Sequence, residues 1–125
     1  MKFHRRWVHS QNKNKRKKLF LRMLPQLRKT AKKNGYALAV HGSLTRDFDL
    51  IAVPWVDKPS DPDLLSKSLV EAVCKFGMLP NKDAWESKPH GRKAKTFVIG
   101  FAEVIDLSVV PFLDGRKGSP DESEI

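Results

Sequence analysis

Aspartate and glutamate are missing altogether from residues 1–46, a stretch that carries fourteen lysines and arginines. With no acid nearby to neutralise them, these cations attract polyanions through counterion release, giving salt-dependent affinity without sequence preference. The plainer alternative is a solvated segment that only keeps the chain soluble. Cysteine is almost absent too. Cys74 stands alone, which excludes an internal disulfide and suits a reducing cytoplasm. No Cys/His set has zinc-finger spacing. Long apolar runs are lacking: none approaches the ~20 residues that span a bilayer, so no membrane partner is expected. The charged opening Met1–Trp7 leads into no apolar segment, which argues against a secretory signal.

What is present fits one domain. The chain has 125 residues, 40% of them apolar and arranged in blocks, enough for a single hydrophobic core. Residues 47–125 hold ten basic and fourteen acidic side chains, so the formal charge of +10 resides in the N-terminal third.

Residues 1–18 have too little apolar content to pack and read as a flexible basic arm. Phe20, Leu24, Leu27 and Ala31 form an amphipathic stripe, and Pro25 predicts that the regular helix spans about 25–33, stopped by Asn34-Gly35. Tyr36–His41 reads as a strand, apolar on both faces and so central. The short link 42–46 makes the next strand, Asp47–Val53, antiparallel to it. A second helix begins at Ser60 or Asp61 with Pro62 in its first turn. It buries Leu65, Leu69, Ala72, Val73 and Phe76, carries Cys74 as a small buried thiol, and ends at Gly77. Residues 80–95 read as a polar loop, and residues 96–101 and 103–110 as two strands that can form a hairpin. The acidic tail, 115–125, is expected to be disordered. The fold class is therefore α/β (α+β): a small mixed, mainly antiparallel sheet flanked by helices, over residues 19–114.

The chemistry concentrates in His41-Gly42-Ser43-Leu44-Thr45-Arg46-Asp47-Phe48-Asp49. In a strand, residues i and i+2 share a face, so Asp47 and Asp49 point the same way, close enough to share a divalent cation. Asp106, between Ile105 and Leu107 on a later strand, is costly to bury without a cation, an arginine or hydrogen bonds. Its alternative role is a structural ion pair with Arg46 or Arg92. The basic loop Lys88–Lys95 could clamp a phosphate or be a plain exposed turn. His41 reads as a packed histidine more readily than a site residue. Trp55 and Trp85 read as core covers, with Trp7 the better base-stacking candidate.

A hydrophobic strand, Gly42-Ser43, Asp47-x-Asp49 and a strand-borne Asp106 together resemble the DNA polymerase beta-like nucleotidyltransferase superfamily. The His-Gly-Ser, Arg-Asp-x-Asp-Leu and Lys-Pro-His-Gly-Arg stretches are similar to those of small nucleotidyltransferase-like proteins of tailed phages. The resemblance covers about residues 24–112. It implies a minimal nucleotidyltransferase-like fold and a location in the host cytoplasm. It also implies Asp47, Asp49 and Asp106 as catalytic residues and ligands of Mg²⁺ or Mn²⁺, with a nucleoside triphosphate as substrate. Gly42, Ser43 and Arg46 would hold its phosphates. Nucleic acid, RNA or DNA, would contact Arg5, Arg6, Lys15, Arg16, Lys17, Lys18 and Arg92. Only Leu44, Thr45 and Arg46 separate the Gly-Ser turn from Asp47, where family members have a longer connection. The second reading is thus a catalytically inactive, nucleotidyltransferase-like module that binds nucleic acid. A dehalogenase-type Asp-x-Asp is excluded, because there the apolar strand precedes the pair.

Overall fold

Phe20, Leu24, Leu27 and Ala31 are all buried, together with Met23, along one side of a long helix. In this computed structural model, residues 2–78, 80–82, 85–99 and 103–112 are described, with side chains from Lys13 onward and Lys82 excepted. The first helix, α1, spans Lys2–Lys33 with Pro25 inside it. It does not begin at Pro25 behind a flexible arm. Residues 2–24 contain neither glycine nor proline and are rich in strong helix formers. Pro25 lies on the exposed side, and the carbonyl it orphans belongs to Leu21, itself 48% exposed. Water can take that bond, so the helix continues through the proline.

After the turn at Gly35 come β1 (Tyr36–His41) and β2 (Asp47–Pro54), paired antiparallel with Tyr36 opposite Pro54 and His41 opposite Asp49. Gly35 has φ +86°, and a Cβ there would lie 2.6 Å from Val56 and 2.9 Å from the Pro59 backbone. Only glycine fits that crossing. Helix α2 (Pro62–Cys74) starts as its sequence dictates: Asp61 accepts a hydrogen bond from the Leu64 amide, and Pro62 occupies the first turn. Its buried side is Leu65, Ser66, Leu69, Ala72 and Val73. Cys74 is exposed, because it falls beside this stripe rather than on it.

Residues 80–95 are more ordered than a loop. They hold two short strands, β3 (Asn81–Lys82) and β4 (Glu86–Ser87), a 3₁₀ turn at Pro89–Gly91, and the start of β5 (Lys93–Val98). Both short strands pair antiparallel with β5, whose backbone groups recruit a polar segment that hydropathy alone leaves unassigned. Strand β6 (Val104–Val109) returns antiparallel to β5 and lies parallel to β2.

The sheet order is β1-β2-β6-β5-β3, with β4 also on β5. This is a mixed, mainly antiparallel sheet in an α/β domain, as the sequence predicts. β1 is an edge strand, not a central one; its alanines, Ala37 and Ala39, are exposed while Tyr36 and Leu38 are buried. Both helices and the core residues Phe48, Leu50, Ile105, Leu107 and Phe97 occupy one side of the sheet. No helix covers the opposite face among the described residues. Among the described residues no helix is long and apolar enough to cross a membrane. The 115–125 tail and the Arg5, Arg6 and Trp7 side chains lie outside what is described.

Candidate metal centre

Strand parity builds the site. Phe48 is fully buried and stacks on Phe20 of α1, ring centroids 4.5 Å apart and 25° from parallel. Anchoring Phe48 inward forces its neighbours Asp47 and Asp49 onto the opposite face. On β6, buried Ile105 and Leu107 do the same for Asp106. The parallel register sets Asp49 directly opposite Asp106. Carboxylate oxygens of Asp47, Asp49 and Asp106 consequently lie within 4.8 Å of one another.

The register runs further. His41 opposes Asp49 from β1, and Thr96 opposes Asp106 from β5, so His41, Asp49, Asp106 and Thr96 form one row across four strands. The Thr96 hydroxyl donates to Asp106 Oδ1 at 2.8 Å, which fixes that carboxylate. His41 is exposed, not packed. It lines the same cleft as Asp49 and Asp106.

Crowding leaves an electrostatic signature. The Asp49 carboxyl is pushed above its usual range, first by burial, then by the charge of Asp106 and a hydrogen bond shared with it, then by Asp47; His41 opposes the shift. Like charges held this close favour either a proton or a cation between them. Three hard oxygen donors on rigid strands are the ligand chemistry that magnesium or manganese takes.

The turn before Asp47 is tightly held. Gly42 has φ +85°, and a Cβ there would sit 3.3 Å from Asp49 Oδ2. Leu44 also has positive φ, 63°, and is pinned by burial. Arg16 donates from Nε to the Thr45 carbonyl at 2.9 Å, tying α1 to the turn. That is a structural task, so Arg16 does not stand free beside Lys15, Lys17 and Lys18, which are exposed. The Ser43 and Thr45 hydroxyls bond each other at 2.7 Å. Arg46 is exposed and forms no ion pair with Asp47, Asp49 or Asp106 among the described residues. The structural salt bridge from Asp106 to Arg46 or Arg92 is therefore not made.

An open cleft of about 560 Å³ covers this row, and Lys88 and Arg92 line it together with Asp49 and Asp106. Lys88 pairs with Glu86 at 3.2 Å, and Arg92 Nε bonds the Pro89 carbonyl at 3.4 Å. Arg92 thus joins the site's rim. Lys95 also borders the cleft, but its ammonium is drawn to Trp85. It shares strand parity with buried Phe97, and its ammonium lies 4.8 Å from the Trp85 ring centre on the helix side of the sheet. Trp85 packs against the core as expected, its indole N–H on Asp63 of α2. Trp55 is 56% exposed and is no core cover.

Thr96 is the site residue the sequence reading missed. Its signal was the hairpin itself, since fixing the β5–β6 register pairs it with Asp106. No model of a known protein family matches this chain, and no curated protein matches it.

Proposed function

We propose that this protein is a divalent-metal-dependent nucleotidyltransferase that joins a nucleotidyl group from a nucleoside triphosphate to a hydroxyl, with nucleic acid as acceptor. The observation that carries the reading is the convergence of Asp47, Asp49 and Asp106 on the sheet face opposite the helices. Two cations on the same cleft, Lys88 and Arg92, add charge suited to a polyphosphate.

Mg²⁺ or Mn²⁺, when bound, would neutralise phosphate charge and bring attacking and leaving oxygens into line. Asp47, Asp49 and Asp106 would hold it, with Gly42 leaving space beside the Asp49 carboxylate. In the transfer the acceptor oxygen bonds the α-phosphorus, the bond to pyrophosphate breaks, and the hydroxyl proton passes to Asp106. Thr96 keeps Asp106 oriented for that work. Lys88 and Arg92 would steady the departing pyrophosphate, since positioning and charge neutralisation dominate phosphoryl transfer.

One observation favours the inactive reading: Ser43 spends its hydroxyl on Thr45 within a three-residue connection. The test is incubation of the full chain with labelled triphosphates, Mn²⁺ or Mg²⁺, and RNA or DNA. Incorporation that Asp47→Asn and Asp106→Asn reduce to background supports the transferase. Absence of both incorporation and triphosphate binding overturns it, and retained oligonucleotide binding would then favour the inactive module.

A further inference from the structure

Trp55 is a large aromatic that the core leaves out. It follows β2 directly, at the end of the sheet opposite the carboxylates, and its backbone amide donates to the Gly35 carbonyl at 3.1 Å. The indole is 56% exposed, and the Lys32 ammonium stands 6.0 Å from its ring centre. Arg28, Lys32, Tyr36, Ala37, Leu38 and Trp55 enclose an open groove of about 400 Å³ between α1 and the edge strand β1. A rigid aromatic face flanked by two cations matches what a base and its phosphates require.

The groove continues into a basic track. Lys17, Lys18, Arg28 and Lys32 are exposed on α1, at helical spacing that returns them to one side. From Lys17 to Lys32 the helix rises about 22 Å, room for several nucleotides of an extended strand. The far end of the track approaches the carboxylate end of the sheet, because Arg16 holds the carbonyl of Thr45 in the turn that leads into Asp47.

We infer that the outward face of α1 and the Trp55 groove bind single-stranded nucleic acid, with one base stacked on Trp55 and phosphates on Arg28 and Lys32. This rests on the reading that nucleic acid is the acceptor, though not on catalysis. A single strand is favoured over a duplex because stacking on an indole needs an unpaired base face. An anionic membrane surface fits less well. Among the described side chains of α1 the apolar stripe is consumed in the core, leaving Leu21 as the exposed large apolar residue, whereas a surface-lying helix inserts a whole apolar face.

The experiment measures binding of the full chain to a labelled oligouridylate of about twelve nucleotides, and to its deoxy counterpart, without triphosphate or metal. Trp55→Ala is expected to weaken binding roughly ten- to a hundred-fold while Trp55→Phe retains most of it. Arg28→Ala and Lys32→Ala should each flatten the salt dependence by about 0.7 in log–log slope. Thermal melting of each variant reports whether the fold is kept. Unchanged affinity in folded Trp55→Ala overturns the inference, as does equal affinity for duplex, or binding to phosphatidylserine vesicles in place of oligonucleotide. The binding assay contains neither triphosphate nor metal, so loss of incorporation and loss of oligonucleotide binding are read separately, and a failed transferase reading and a failed Trp55 groove give different results.

Discussion

Asp49 and Asp106 stand opposite each other on the parallel strands β2 and β6, although 57 positions apart in the chain. Burial first, and then the crowding of these like charges, raises the Asp49 pKa. A fold that holds like charges in register stores repulsion that a ligand can relieve.

The first prediction concerns pH. The Asp49 pKa is raised above 3.8 in the folded chain, so the folded state binds this proton more readily than the unfolded state. That contribution to stability is complete below the unfolded value and is lost as pH rises through the folded value. Asp49→Asn should therefore melt higher than the parent chain at neutral pH without divalent cations, and the gap should close as the solution is acidified. Melting curves across the acid range check the sign.

Divalent cations should act on the same repulsion. Mg²⁺ or Mn²⁺ is expected to raise the melting temperature of the parent chain, by mass action on the folded state. The rise should be lost in Asp49→Asn and Asp106→Asn. An equal rise in all three proteins would show that the cation binds elsewhere.

Thr96→Val removes the hydroxyl that donates to Asp106. The expected cost is about 1 kcal/mol of stability and roughly ten- to a hundred-fold in metal affinity, the usual effect of losing a partner that orients a ligand. Thr96→Ser should restore most of both. Metal titration followed by calorimetry separates the two effects.

Gly42→Ala should fail for two reasons, a φ of +85° and a Cβ 3.3 Å from Asp49 Oδ2. A loss of about 1 kcal/mol is expected from the backbone alone. Weaker cation binding should accompany it, because Asp49 must shift. Urea unfolding with and without Mn²⁺ measures both.

Phe48→Ala is expected to cost about 3–5 kcal/mol through the cavity it leaves under Phe20. Phe48→Leu should cost less and keep Asp47 and Asp49 facing outward. Comparing their unfolding midpoints tests whether burial of residue 48 is what orients the two carboxylates.

Much of this was legible in the residues. Alternation around Phe48 gave Asp47 and Asp49 a common face, Asp61-Pro62 marked the start of α2, and the five-residue link gave the β1–β2 hairpin. Pro25 misled, because the rule that proline starts a helix assumes that its orphaned carbonyl has no water to meet. Trp55 misled as well: an indole is bulky enough to cover a core, but its place just past the end of β2 leaves it 56% exposed. Cys74 fell outside the buried stripe by one position.

By itself the sequence determined the local geometry: strand parity, helix caps, glycine turns and the confinement of net positive charge to the first 46 residues. These follow from interactions a few residues apart, which pattern alone encodes. Only the tertiary structure decided that β6 lies parallel beside β2, in a register that sets Asp106 against Asp49 and Thr96 against Asp106. That choice depends on how Ile105 and Leu107 pack with Phe48 and Leu50 beneath the helices. Packing across such distances is settled by the whole core at once, not by any short stretch of chain.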